Sequence, residues 1–522
     1  MRGRIVLFKY TGQSVYCASS RARFRKMQTA SRRQRGSKPG STLKRMPGFH
    51  IEHFGCRAAR ADGEAIAGHL RAFAQRQPFA ADVVVVNTCS VTAEADRAAR
   101  AFIRRTHRRN PAARIVVTGC YAQRAPQELA AMPGVAAIVG NSHKAFAPEI
   151  ALHLAQGASE RSTFPPTIVP VASLLSASAL QAAPIWADDR FAHSFLEEAQ
   201  LAPGVQTRPN LKIQEGCGNR CTFCVIPTTR GPSRSLPHAA VLRRVEEFVA
   251  AGGKELVLSG INLGRWGHDF SSGLGREPLA GPRRESLSDL IRAILTRTAL
   301  PRLRLSSIEP MDWNDELIGL LREFGGARES GGRLARHAHL PLQSGSDAVL
   351  RRMHRRYRPW HYAEKVSALL DADGPDLTLG ADVMAGFPGE TDREFEETLS
   401  FVRALPFGYL HLFPFSPRPG TPGWALHAAS PVPPAAVEER MAALRTLAAE
   451  KTREHRSRFI GRKLDAITLH TPPSLASQGT TPALTENFLP INLGGQFPSN
   501  QLLQVRITAL GFDGQLIALQ DH

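Results

Sequence analysis

The sequence predicts an α/β protein in three folded parts: an N-terminal α/β domain, a (β/α) partial barrel, and a small β-barrel-like domain at the C-terminus. Three observations carry this prediction. The chain has 522 residues, and at about 100 to 200 residues per domain it holds roughly three units. Strand-like and helix-like segments alternate from about residue 48 to residue 457, the rhythm of a mainly parallel sheet. After Gly461 the rhythm gives way to short strands separated by turns. With 43% hydrophobic and 21% charged residues the chain can bury a sizeable core.

Residues 1–47 read as a basic, disordered arm. Lys and Arg number 66 against 46 Asp and Glu, a net charge of +20; residues 1–51 hold thirteen of those cations and no acid, which leaves +7 for the rest. A surplus of this kind suits a polyanion such as nucleic acid. A nucleic-acid-binding arm, a targeting segment and an over-extended start ahead of Met46 are the open readings of this stretch. No run of eighteen apolar residues and no signal-peptide pattern occurs, which points to the cytoplasm and away from a membrane.

Residues 48–154 make the first domain. GHLRAFAQR (68–76) reads as a helix, DVVVVNTC (82–89) as a buried strand, ADRAARAFIRRTHRR (95–109) as a basic helix and ARIVVTGC (113–120) as a second strand ending in cysteine. Residues 155–206 are rich in Ser, Pro and Ala and read as a linker or crossover. Residues 207–457 open on the strand LKIQ, continue through five helix-then-strand units and end in a long helix. About six strands result, and in such barrels the site lies at the C-terminal strand ends. Residues 458–522 are the small β domain.

The seven cysteines carry the chemistry. An odd number, irregular spacing and no secretion signal argue against a disulfide framework. Cys217, Cys221 and Cys224 form a C-x3-C-x2-C run after a predicted strand. Three thiolates on one loop can hold three irons of a [4Fe–4S] cluster and leave the fourth open to a small ligand. Zinc would need a fourth protein ligand, and none lies close in sequence. Cys89 and Cys120 each end a predicted strand and Cys56 follows a short one, so the three can converge as a second cluster site; buried core cysteines are the competing reading. Cys17, in the arm, is idle.

Other segments are weaker candidates. Gly252, Gly253 and Glu255, at a turn before a strand, would suit a cofactor's amine and carboxylate, or form a helix C-cap. Gly386, Pro388 and Gly389 would permit close approach of a flat ligand, or make an ordinary turn. Gln343, Ser344 and Ser346 form a polar cluster able to bind a ribose, and Ser306, Ser307 and Glu309 line a barrel mouth. Arg230, Arg234 and the run 351–358 are placed to grip phosphates, a solvated helix face being the alternative for the run. His337 and His339 are a pair that needs no metal. No GxxxxGK[ST] loop, Rossmann glycine pattern or HExxH is present.

The ordered set NTCSVT, TGCYAQ, LKIQEGCGNRCTFCVIPTTRGPSRS, SSIEP, HLPLQSGSDAVLRRM and ADVMAGFPGET resembles the radical S-adenosylmethionine methylthiotransferases over about residues 48–522. The wording looks most like the bacterial tRNA enzymes that convert N6-threonylcarbamoyladenosine, next to the anticodon, to its 2-methylthio derivative. The resemblance implies an N-terminal methylthiotransferase domain with a [4Fe–4S] cluster on Cys56, Cys89 and Cys120, and a radical S-adenosylmethionine barrel with another on Cys217, Cys221 and Cys224. It implies a C-terminal TRAM domain that helps bind RNA, S-adenosylmethionine as methyl donor and radical source, and an electron donor and sulfur source that the sequence does not name. Ala59 departs from the family's usual Asn, which puts support of the first cluster in question. Methylthiolation of isopentenyladenosine, a ribosomal-protein substrate, and a non-catalytic iron–sulfur RNA-binding protein are the alternatives.

Overall fold

A computed structural model describes residues 48–70, 74–75, 79–155, 183–191, 207–270, 285–326 and 332–521. The basic arm with Cys17, and most of the expected linker, lie outside the described residues.

The N-terminal domain runs β1 (Gly48–His53), α1 (Arg57–His69), β2 (Ala74–Gln75), β3 (Val83–Thr88), α2 (Ala93–Arg109), β4 (Arg114–Gly119), α3 (Cys120–Arg124), α4 (Pro126–Ala130), β5 (Val135–Gly140), α5 (Ala147–Ala155) and β6 (Ile185–Trp186). The strands form a parallel sheet in the order β2-β1-β3-β4-β5-β6. The sheet is covered on both faces, which is why its strands are continuous apolar runs. Val84, Val86, Ile115 and Val117 pack on Phe102 and Ile103 of α2, while Val83, Val85 and Val116 pack on Ile66 and Ile150 from the other side. Burying each such side chain contributes about 1.5–3 kcal/mol. Thr92 caps α2 by accepting from the Ala95 N–H at 3.2 Å, with acids in the first turn and cations in the last, the arrangement the helix dipole favours. The helix expected over 68–76 instead starts at Arg57 and ends at His69, and residues 74–75 are an edge strand. Within the expected linker, residues 185–186 supply the last strand of the sheet.

The second part runs β7 (Asn210–Glu215), α6 (Ile226–Arg230), β8 (Arg234–Ser235), α7 (His238–Ala250), β9 (Glu255–Gly260), α8 (Leu287–Arg297), β10 (Arg302–Leu305), α9 (Asp315–Phe324), β11 (His337–His339), α10 (Asp347–Arg352), α11 (Pro359–Asp373), β12 (Thr378–Ala385), α12 (Asp392–Ala404), β13 (Phe407–Pro414), α13 (Pro422–Ala429) and α14 (Pro434–Ser457). Its strands form two sheets, β10-β9-β7-β8 and β11-β12-β13, joined by a parallel bridge between Leu303 and Leu334. Six parallel strands thus make the expected partial barrel, with β8 an antiparallel edge. One apolar core fills the layer between strands and helices, with Trp266 and Trp313 wholly buried.

The third part is a closed five-stranded barrel, consistent with a TRAM domain. It comprises β14 (Lys463–Thr468), α15 (Pro473–Ala476), β15 (Thr480–Thr485), β16 (Pro490–Gly494), β17 (Leu502–Leu510) and β18 (Leu516–Gln520), in the order β14-β15-β16-β18-β17. Strands β15 and β16 are joined by a turn in which Phe488 has φ +65°. This domain lies against the N-terminal ends of the larger barrel's strands. Arg304 donates to the Thr485 carbonyl at 3.0 Å, and Phe488 packs on His337 at 4.3 Å between ring centroids.

Candidate functional site

Three parallel neighbours, β1, β3 and β4, all point their C-terminal ends at one edge of the first sheet. Cys56 caps α1 just beyond β1, Cys89 follows β3, and Cys120 opens α3 directly after β4. The Cys56 and Cys89 thiols share a hydrogen bond. That interaction, with the charge of Arg230, pulls the Cys56 thiol below the usual thiol range. The same bond and burial push Cys89 well above the usual thiol range, with the charges of Cys56 and Cys120 adding to the effect. The two thiols are thereby crowded together at this edge. Gly55, at φ +99°, makes the crowding possible, because a Cβ there would strike Cys89. The Cys56 thiol accepts from the Ala59 backbone N–H.

Cys217, Cys221 and Cys224 lie on the loop between β7 and α6, at the C-terminal end of the barrel's first strand. Cys217 Sγ accepts from the Asn219 N–H at 3.4 Å and from Asn262 Nδ2 at 3.6 Å. Cys221 Sγ accepts from Arg355 Nη1 at 3.2 Å, and Cys224 Sγ from the Ile226 N–H at 3.4 Å. Burial raises the Cys217 thiol and pushes Cys224 up to about 12, so these sulfurs become thiolates only when iron takes the proton's place. Donors aimed at all three sulfurs are the surroundings an iron–sulfur cluster requires. A small cleft adjoins Cys221, lined by Asn219, Arg220, Glu309, Asp312 and Arg355 among others. Burial raises the Glu309 carboxyl even though Arg355 is bound to it.

The two domains meet across a sealed interface of charge. Asp62 of α1, Lys144 beyond β5, Lys212 and Glu215 of β7 and Arg230 of α6 have side chains no more than 8% exposed. Arg230 donates from Nη1 to Glu215 at 2.7 Å, to Asp62 at 3.2 Å and from Nε to Cys120 Sγ at 3.3 Å. Lys144 binds Asp62 at 2.5 Å, and Lys212 bridges Asp62 and Glu215. A second clamp is Arg418, beyond β13, which holds Asp96 of α2 at 2.7 Å.

The structure corrects several expectations. Arg230 is 0% exposed and cannot reach an RNA phosphate, because its fork is committed to two carboxylates and a thiol. Arg234 is turned inward too, donating to the Arg230 and Pro232 carbonyls at 2.8 and 3.1 Å. Glu255 is wholly buried at the N-terminal start of β9, held by Arg304 at 2.8 Å with Arg302 and Arg208 nearby. With Gly252 and Gly253 it stands at the end of the barrel opposite the cysteine loop, about 17 Å of strand away at 3.3 Å per residue. Ser344 bonds Thr398 at 2.9 Å and Ser346 bonds Glu397 at 2.7 Å, so both face α12. The approach that Gly386 permits is that of α14, since a Cβ there would lie 2.6 Å from Val437. Pro388 and Gly389 complete that turn, which Glu390 and Arg440 lock at 2.8 Å.

Other candidates lie toward the C-terminal ends of the barrel strands. Glu309 reaches the Cys221 cleft. Gln343, at φ +67°, holds the C-terminal rim by exchanging backbone bonds with Asp382 and Met384. Ser307 bonds His339 at 2.7 Å, and His339 is grouped with residues other than His337, since Asp382 lies 3.4 Å from it and His411 lies 3.3 Å from Asp382. These hydrogen bonds hold the Asp382 carboxyl far below the carboxylate range in spite of its burial. Sequence reading missed Asn262, Asn141 and the Asp62–Glu215 network, and it gave Arg355, within the run 351–358, to phosphates where the structure has it donating to Cys221. Asn262 had a signal: it stands just past the C-terminal end of β9, the end at which parallel sheets place their ligands.

A (β/α) partial barrel carrying three thiols after its first strand, beside a small cleft, defines a radical S-adenosylmethionine enzyme, which uses a [4Fe–4S] cluster and S-adenosylmethionine. Comparison with known proteins agrees: residues 211–402 match the radical SAM superfamily and residues 48–140 match "uncharacterized protein family UPF0004". Threonylcarbamoyladenosine tRNA methylthiotransferase MtaB of Bacillus subtilis (strain 168) is 33% identical over 90% of this chain and 96% of its own. The Aquifex aeolicus protein of the same name is 32% identical over 82% and 91%. The tRNA-2-methylthio-N(6)-dimethylallyladenosine synthase of Acidothermus cellulolyticus is 31% identical over 88% and 83%. The chain belongs to the radical S-adenosylmethionine methylthiotransferase family. Among the described residues no helix is long and apolar enough to cross a membrane.

Proposed function

We propose that this enzyme inserts a methylthio group at C2 of N6-threonylcarbamoyladenosine next to the tRNA anticodon, in the cytoplasm, and that Cys56, Cys89 and Cys120 hold a second [4Fe–4S] cluster. The observation that carries the reading is that the helix following the barrel's cysteine loop sends a donor, Arg230, to a cysteine of the first domain's set. Arg230 follows Cys224 by six residues and donates to Cys120. A radical generator alone has no use for the second set; an enzyme that also delivers sulfur does. When bound, the cluster and S-adenosylmethionine supply a carbon radical able to break a C–H bond that no side-chain acid or base can open. Asn262 and Arg355 steady the Cys217 and Cys221 sulfurs, and Glu309 with Arg355 forms the polar wall beside Cys221. Arg220 and Arg356, both exposed at the cleft, are the cations placed to meet RNA phosphates. A reductant and a sulfur source complete the requirements.

The motifs LKIQEGC, SSIEP and HLPLQSGS and the relatives named for threonylcarbamoyladenosine support this substrate. The isopentenyl-type base keeps the support of a relative only slightly less similar. The test is mass spectrometry of tRNA nucleosides from a host lacking both adenosine methylthiotransferases, with and without this gene. Appearance of 2-methylthio-N6-threonylcarbamoyladenosine is the expected result; the isopentenyl product would transfer the assignment, and neither product from cluster-loaded protein would end it. In vitro, alanine at Cys217, Cys221 or Cys224 abolishes reductive cleavage of S-adenosylmethionine, whereas Cys89→Ala keeps cleavage and stops sulfur insertion.

A further inference from the structure

We infer that Arg230 raises the reduction potential of the cluster on Cys56, Cys89 and Cys120. The inference rests on the second cluster proposed above. Reduction adds a negative charge to a cluster, and a fixed cation that is itself shielded from water and lies at a ligating sulfur favours the reduced form. Arg230 meets both conditions: it is 0% exposed, and its Nε points at Cys120 Sγ from 3.3 Å. Asn141 adds a neutral donor to the same sulfur at 3.4 Å and also binds the carbonyl of Thr229 at 2.8 Å. One sulfur therefore takes a donor from each domain, and the two donors are tied to one another.

The charge count decides the direction. Around Cys120 three buried cations, Lys144, Lys212 and Arg230, share two carboxylates, Asp62 and Glu215. One positive charge is left over, and the thiolate-rich site is its neighbour. At the other cluster Arg355 donates to Cys221, yet its charge is matched by Glu309, bound to the same guanidinium. Arg230 acts through the sulfur and is a positioning residue rather than a catalytic one.

The experiment uses the full chain with Cys217, Cys221 and Cys224 replaced by alanine, so that any cluster reports on the first domain alone. After anaerobic reconstitution, the reduced fraction is followed by electron paramagnetic resonance during titration with dithionite. Arg230→Gln is expected to lower the ratio of reduced to oxidised cluster about tenfold at the potential where the parent is half reduced, a shift of about 59 mV for one electron. Arg230→Lys, which keeps the charge, shifts it less, and Asp62→Asn, which removes a negative charge and touches no sulfur, shifts it the opposite way. Equal midpoints in parent and loaded Arg230→Gln would overturn the inference. Should that variant not fold, equal midpoints in the parent, Arg230→Lys and Asp62→Asn would overturn it. Absence of any cluster from the parent would instead overturn the second cluster itself.

Discussion

Replacing Glu255 by glutamine separates a structural acid from a cofactor-binding one. The Glu255 carboxylate is 0% exposed, and Arg304, Arg208 and Arg302 hold its pKa at about 2 in spite of burial, against 4.5 for a free carboxyl. A depression of that size corresponds to about 3 kcal/mol of stability. Because the folded pKa is the lower one, the contribution is complete above pH 4.5 and disappears as the pH falls toward 2. Glu255→Gln removes the charge and leaves buried arginines uncompensated, a change that costs about 3–5 kcal/mol. Arg304 also binds the C-terminal domain at Thr485, so the disturbance extends to that hydrogen bond. The assay is urea unfolding at pH 7, followed by circular dichroism. With a slope of about 3 kcal/mol/M the barrel transition is expected to fall by about 1 M, and the gap between variant and parent closes below about pH 4. S-adenosylmethionine affinity, measured by calorimetry on folded protein, stays within about twofold. An unchanged urea midpoint combined with lost affinity would refute the structural assignment and restore Glu255 as a cofactor ligand.

Gly55→Ala forces a methyl group into Cys89 at a φ of +99°; iron content is expected to fall by roughly half while 5′-deoxyadenosine formation persists. Glu486 is raised to about 7 by burial; its folded pKa exceeds 4.5, so the charged form penalises the fold once the pH has risen through 7. Glu486→Gln is therefore expected to raise the urea midpoint at about pH 8 and leave it unchanged at about pH 4. Removing both exposed cations of the cleft, Arg220→Gln with Arg356→Gln, is expected to weaken tRNA binding. Filter binding across a salt series should show the salt slope reduced by about one for each phosphate no longer neutralised.

The apolar runs of β3 and β4 were legible because a sheet covered on both faces demands valine and isoleucine at consecutive positions. The barrel was legible as a repeated helix-then-strand rhythm, and Cys217, Cys221 and Cys224 as a spacing that few chemistries use. Glu309 was recognisable as a mouth residue because it follows a strand. Gly252, Gly253 and Glu255 were misplaced by the same reasoning applied to the wrong end: they precede β9, and only residues beyond it, such as Asn262, reach the cysteine loop.

Arginine is where sequence reading gave least. In sequence Arg230, Arg234 and Arg355 are cations in basic surroundings, and the default for such residues is the surface. A charge can be buried only beside partners, and the partners of Arg230 come from α1 and β7, with Asp62 168 positions away. Local sequence determined which residues could ligate iron, because thiolate chemistry has no substitute, and which segments would be strand or helix, because periodicity is a local property. The tertiary structure decided which charges face water, which end of a strand carries the site, and that a loop holding one set of cysteines also leads to a donor for the other. Those depend on distances between residues far apart in the chain, which only packing sets.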